Sequence, residues 1–224
     1  MPSAHRALIT LANKLGYTED EGGLCHGMTL RCLEAYLLDE QDAFITRINT
    51  INNTDNLDGL ICGVQEKVKR HEILTDDEPE LLDIPAFYDS LFLYQKPRQY
   101  QKLFNQSLFQ FHIDEISHLA GSKRIQENGG LSTRYSAPNC FTHQELKNYL
   151  GDIQAIFTNE ALNTLQANIG ILISSHNHKM GLFYQAKNDT WTFMDINQWP
   201  PFDIPILNNT NSIKKVAQRT AAPG

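Results

Sequence analysis

The chain is short of cysteine, of positive charge and of long apolar runs, and each shortage removes a class of protein. Its four cysteines, Cys25, Cys32, Cys62 and Cys140, are scattered over 224 residues and form no CxxC pair. That spacing argues against a disulfide framework or a zinc site and for reduced thiols in a reducing compartment. His71, His112, His118 and His143 show no ligand spacing with cysteines or carboxylates, so no metal or other cofactor is expected. The formal net charge is −7. Nucleic-acid binders are usually basic, so no nucleic-acid partner is expected. No apolar stretch approaches the roughly 20 residues that span a bilayer, so no membrane-spanning segment is expected. The N-terminal MPSAHRALITLANKLGYTEDE has no basic segment leading into an apolar run, so no Sec-type signal is expected. Internal repeats and low-complexity tracts are absent too. With 41% hydrophobic and 20% charged residues, the chain reads as a globular domain able to bury a sizeable core.

Periodicity divides the chain in two. Leu8, Leu11 and Leu15 recur at helical spacing, and Gly16 stops that helix. From Leu24 onward Met28, Cys32, Leu33, Tyr36 and Leu37 form an apolar stripe, with Arg31, Glu34 and Asp39 off it. The stripe continues through Phe44, Ile45 and Ile48 to a break at Asn52–Gly59. A further helical run covers Leu60–Ile73. Acidic Asp76–Glu80 reads as a solvated loop. Phe87, Leu91 and Tyr94 predict a helix ending near Pro97, and Tyr100, Leu103, Phe104, Leu108, Phe111 and Ile116 predict another. Gly121–Asn139 reads as an irregular connection. Thr142 and Glu145 form a capping-box pattern opening a helix through Leu150, and Asn159–Ala167 is a further candidate helix. NIGILISSHN, KMGLFYQA and TWTFMDI then read as an antiparallel meander. Helices followed by strands predict an α+β fold, as one domain over 1–205. Residues 206–224 read as a flexible tail or the start of a linker.

One cysteine stands where chemistry is easiest. In GGLCHGMTLRCLEAYL, Cys25 follows two glycines and opens a helical pattern. Unpaired amides and the positive helix end would stabilise a thiolate there, and the Cys25 amide would face a developing oxyanion. The alternative is a small apolar residue on a buried helix face. A nucleophile needs a base, and the base needs an orienting group. His178 begins one predicted strand and Asp195 ends the next, so a hairpin would bring both to the same end. His176, two residues from His178, is the rival base. His26 reads as a rim residue, since adjacent helical residues point apart.

The order Cys25, His178, Asp195 resembles the papain-like (clan CA) cysteine proteases, most closely the YopT-type effector peptidases of pathogenic bacteria. The matching segments are Gly23-Leu24-Cys25, His178-Lys179-Met180-Gly181-Leu182-Phe183-Tyr184 and Phe193-Met194-Asp195-Ile196-Asn197, a frame from about Gly22 to Asn197. The resemblance implies a central helix opened by the cysteine and a C-terminal antiparallel sheet carrying the histidine and aspartate. It implies a Cys25–His178–Asp195 triad acting on a host protein by thiol hydrolysis or acyl transfer. GLCHGMTLRCLEAYLLDEQ is also similar to the protease-like domains of Legionella-type Dot/Icm effectors. That likeness implies translocation into the host cytosol and an ankyrin region further along the full-length protein.

One neighbourhood departs from the family. Such enzymes place an oxyanion donor, often glutamine, several residues before the cysteine; here the segment is YTEDEGG. Glu19, Asp20 and Glu21 would repel an oxyanion and raise the thiol pKa. Asn13 is the substitute donor upstream, and Gly23, Asn197 and Trp199 are the other candidates to line the site. The competing expectation is therefore a catalytically inactive protease-like fold serving as a protein-interaction module.

Overall fold

The computed structural model of the chain describes residues 4–17, 23–136, 141–158, 168–175, 177–188 and 190–204. Among these, nine α-helices precede and surround a four-stranded antiparallel sheet, an α+β arrangement. The helices are α1 (Ala4–Lys14), α2 (Cys25–Leu37), α3 (Gln41–Asn53), α4 (Leu57–Lys69), α5 (Glu78–Gln95), α6 (Gln101–Phe104), α7 (Ile113–Ala120), α8 (Lys123–Glu127) and α9 (His143–Thr158). The strands are β1 (Ile169–Ser174), β2 (Lys179–Gln185), β3 (Thr190–Met194) and β4 (Phe202–Ile204), hydrogen-bonded in chain order.

Eleven of the thirteen residues of α2 are buried, which makes it the central helix rather than a surface one. Its burial is set by its neighbours. A Cβ on Gly27 would overlap the Leu91 carbonyl oxygen, so α5 crosses α2 at backbone distance there. On the sheet side the Tyr36 ring stacks on Phe183 at 4.7 Å, and Thr29 Oγ1 donates to the Cys25 carbonyl at 2.8 Å and the Lys179 carbonyl at 3.3 Å.

The sheet separates two apolar clusters. Phe183 and Met194 join the helical core, whereas Met180, Leu182, Tyr184, Trp191, Phe193 and Ile204 pack together with Leu150 on the other face. Alternation along β2 produces that split. The β2–β3 register pairs Gly181 with Met194 and Gln185 with Thr190. Each fully buried large apolar side chain in these clusters contributes about 1.5–3 kcal/mol.

Several expected boundaries move. The stripe from Leu24 to Ile48 is two helices, because Asp39 turns left-handed at φ 57° and reverses the chain. Asp39 is held there by Asn168 Nδ2, which donates to Oδ1 at 2.9 Å. Glu34, expected off the apolar face, is buried; it accepts from the Tyr94 hydroxyl at 2.5 Å and the Ser122 amide at 3.1 Å, and it pairs with Arg31. The break after α3 is confined to 54–56, where Asn56 is left-handed at φ 51°. The acidic loop is partly helix: α5 begins at Glu78, because Pro79 suits a first turn and Glu78 and Glu80 favour the positive helix end. The run from Tyr100 to Ile116 is interrupted by left-handed Asn105 at φ 52°, leaving Phe109 and Phe111 exposed. Gly121–Asn139 contains α8, capped by Ser122.

The capping box at α9 is present in both directions: the Thr142 amide donates to Glu145 Oε2 at 2.7 Å, and the Glu145 amide to Thr142 Oγ1 at 3.3 Å. The helix runs on past Leu150 to Thr158. β4 lies beyond the expected meander. The expected helix at Asn159–Ala167, the tail from 206, His176, and Glu19, Asp20 and Glu21 lie outside the described residues.

Candidate active site

The site forms where the first turn of α2 meets the start of β2 and the end of β3. Gly23 enters the helix at φ 64°, the left-handed region that suits glycine, and a Cβ added there would sit 3.4 Å from the His5 ring. Leu24 occupies the N-cap position and offers no side-chain cap. The capping bond comes from 68 residues away: the Gly27 amide donates to Gln95 Oε1 at 2.9 Å. The Cys25 amide, one of the four that an α-helix leaves without an intrahelical acceptor, lies at the same positive end.

His178 stands immediately before β2 and Asp195 immediately after β3, and the antiparallel register brings them together. His178 Nε2 bonds Asp195 Oδ1 at 2.9 Å. Asp195 is 6% exposed, and its Oδ1 also accepts the Asn197 amide at 3.0 Å. With Nε2 committed to the carboxylate, Nδ1 is the ring nitrogen left for the Cys25 thiol, with which His178 shares a hydrogen bond.

The electrostatics of the pair point one way. Burial raises the Cys25 pKa, but hydrogen bonds from His178 and the Lys179 amide and the charge on His178 outweigh it, and the net shift is downward. The His178 pKa is pushed up to about 9, first by its bond to Asp195 and then by Cys25, against the opposing effect of burial. A lowered thiol beside a raised imidazole favours a thiolate–imidazolium ion pair, titrating as one coupled unit.

Cys25, His178 and Asp195 are thus assembled from three elements. The other sequence candidates have different places. Gly23 lies at the entry to α2. Asn197 is exposed; its backbone braces Asp195 and its Oδ1 bonds His5 Nδ1 at 2.8 Å, so it supports the carboxylate from outside. Trp199 ties the following loop to α3, donating from Nε1 to Asn49 Oδ1 at 3.0 Å and packing on Phe44 at 6.0 Å. Asn13 is exposed on α1 and shares no described hydrogen bond with Cys25, His178 or Asp195. His26, expected at the rim, is 3% exposed; burial and the charge of Lys179 lower its pKa to about 4, so it is neutral near pH 7.

Three residues were not found from sequence. Gln95 carries no signal, since a glutamine ending a helix is ordinary. His5, which backs Gly23 and bonds Asn197, lies in a segment read only for its leucines. Lys179 sits inside the HKMGLFYQ stretch, where a lysine opening a strand carries no signal of its own. Among the described residues no group of three or more His, Cys, Asp or Glu is arranged to hold a metal, and no helix is long and apolar enough to cross a membrane. No family model matches the chain, and no curated protein or solved structure matches it either.

Proposed function

We propose that the protein is a thiol-dependent acyl hydrolase or acyl transferase of papain-like type, with Cys25 as nucleophile, His178 as acid and base, and Asp195 as the group that orients His178. The observation that carries this reading is the 2.9 Å His178–Asp195 bond beside a thiol of lowered pKa at a helix N-terminus.

The chemistry follows from those positions. The Cys25 thiolate attacks a carbonyl carbon, the S–C bond forms, and the carbonyl electrons move to oxygen, which faces the Cys25 amide. As the tetrahedral species collapses, the His178 imidazolium gives its Nδ1 proton to the leaving amine or alcohol and the old acyl bond breaks. Neutral His178 then takes a proton from water or an acceptor amine, which attacks the thioester and frees Cys25. Asp195 keeps the proton on Nε2 throughout and stabilises the imidazolium, so Nδ1 always faces the sulfur. A protein substrate in a host cell, and the role of a translocated effector with an ankyrin region, rest on the family resemblance alone.

The test is the pH dependence of iodoacetamide labelling at Cys25, followed on its peptide by mass spectrometry. The expected inflection lies below the roughly 8.5 of an ordinary thiol, and His178→Ala returns it toward that value. Labelling that rises only as for an ordinary buried thiol, unchanged in His178→Ala, overturns the reading and leaves the inactive interaction module.

A further inference from the structure

Lys179 carries a charge beside the site that the triad does not use. Its amide donates to the Cys25 sulfur and its carbonyl accepts from Thr29, so its backbone is fixed against the first turns of α2. The register pairs Lys179 with Ser174 across β1 and β2, which places both on one face of the sheet. Alternation makes that the face of Phe183, which stacks on Tyr36 of α2. The Lys179 ammonium donates to Ser174 Oγ at 2.7 Å, and its charge is felt by both Cys25 and His26. Among the described residues no carboxylate pairs with it. A neutral hydroxyl takes one of three ammonium protons and leaves two without a described acceptor. That contact is solvent-exposed, so the two remaining donors are open to an incoming anion.

We propose that Lys179 and Ser174 form a carboxylate-binding subsite flanking Cys25, so that the preferred acyl donor carries a carboxylate close to the reacting carbonyl. This rests on Cys25 being the nucleophile. The carboxylate is either an acidic side chain or a chain terminus; both present the same two-oxygen anion to an ammonium and a hydroxyl. In a chain of net charge −7, Lys179 supplies a local cation beside Cys25, toward which an anionic group is drawn.

Two alkylating probes test it: iodoacetate, which carries a carboxylate, and iodoacetamide, its neutral counterpart. In both, the thiolate forms an S–C bond as iodide leaves. Any effect of Lys179 on the thiolate population is common to both reagents and cancels in the ratio of their rates at Cys25. In Lys179→Met the iodoacetate-to-iodoacetamide ratio is expected to fall about threefold to fivefold, with the drop shrinking in high salt. Lys179→Arg restores most of it, and thermal melting of each variant checks that the fold is kept. Chloromethyl ketones of acetyl-aspartate and acetyl-asparagine repeat the comparison with a side-chain carboxylate. A larger Lys179-dependent preference there than with iodoacetate assigns the subsite to acidic side chains; a smaller one assigns it to a terminus. Fast alkylation by both reagents, with ratios in Lys179→Met within about twofold of the parent for both probe pairs, overturns the subsite and leaves the thiol reading standing. Ordinary-thiol behaviour of Cys25 toward every reagent in the parent protein overturns both.

Discussion

Replacing Asp195 by Asn should uncouple the histidine from the thiol without disturbing the shape of the site. The carboxylate is 6% exposed and bonds His178 Nε2 at 2.9 Å, so the lost contact is charge-assisted and largely sheltered from water. Hydrogen bonds to charged groups are worth about 1.5–3 kcal/mol, and one pKa unit corresponds to about 1.36 kcal/mol. His178 retains one-fifth side-chain exposure, which screens the interaction and favours the lower half of that range. The His178 pKa, pushed up to about 9 in the parent, should therefore fall by roughly one to two units in Asp195→Asn. The sign is fixed: loss of the carboxylate destabilises the imidazolium, so the proton leaves at lower pH. The Cys25 pKa should rise at the same time, because the cation that holds the thiolate is now lost within the working range. The window in which thiolate and imidazolium coexist then narrows from both sides. NMR titration of the His178 ring, with iodoacetamide rates at Cys25 measured on the same samples, reads both shifts. A His178 titration that stays within about 0.3 units of the parent would falsify the assignment of Asp195 as its electrostatic partner.

Other perturbations test the frame around the site. In the parent protein, acylation by p-nitrophenyl acetate should follow a bell-shaped pH profile whose alkaline limb lies near 9, where His178 loses its proton; a rate still rising above that pH would contradict His178 as the acid. Gly27→Ala should destabilise the fold by about 1–3 kcal/mol in urea titration, because the new methyl meets the Leu91 carbonyl, a backbone atom that cannot swing aside; stability equal to or above the parent would show that α2 and α5 can separate there. Gln95→Leu removes the acceptor of the Gly27 amide and should cost about 1 kcal/mol. It should also speed hydrogen exchange in the first turn of α2, whereas unchanged exchange would mean that Gln95 does not cap the helix.

The helical spacing of Leu8 and Leu11, the capping box of Thr142 and Glu145, and the three apolar runs that became β1, β2 and β3 are local signals. They depend on neighbours within a few residues, so the sequence alone carries the α+β class and the helix–strand order. The relation of Cys25, His178 and Asp195 was legible only as an order of residue types. Their convergence needed the β2–β3 register, which sets His178 and Asp195 at one end of the hairpin, and the packing of α2 across the sheet. Where the periodic signal misled, a long-range contact was the cause. Glu34 looked like a surface residue, but Tyr94, Arg31 and the Ser122 amide satisfy its carboxylate inside the core. Asp39 broke a continuous apolar stripe because Asn168 holds it in a left-handed turn.

Sequence by itself therefore determined the helix-then-strand order of the main elements and which side chains have the chemistry to act. Tertiary structure alone decided which of them meet. It selected Gln95 as the cap of the cysteine helix, aimed Lys179 along the site toward Ser174, buried His26 as a neutral ring, and left Asn13 in solvent. The physical reason is range: helix and strand propensities act over one or two turns, whereas a hydrogen bond between residues 68 positions apart, such as Gly27 to Gln95, exists only after the chain has closed on itself.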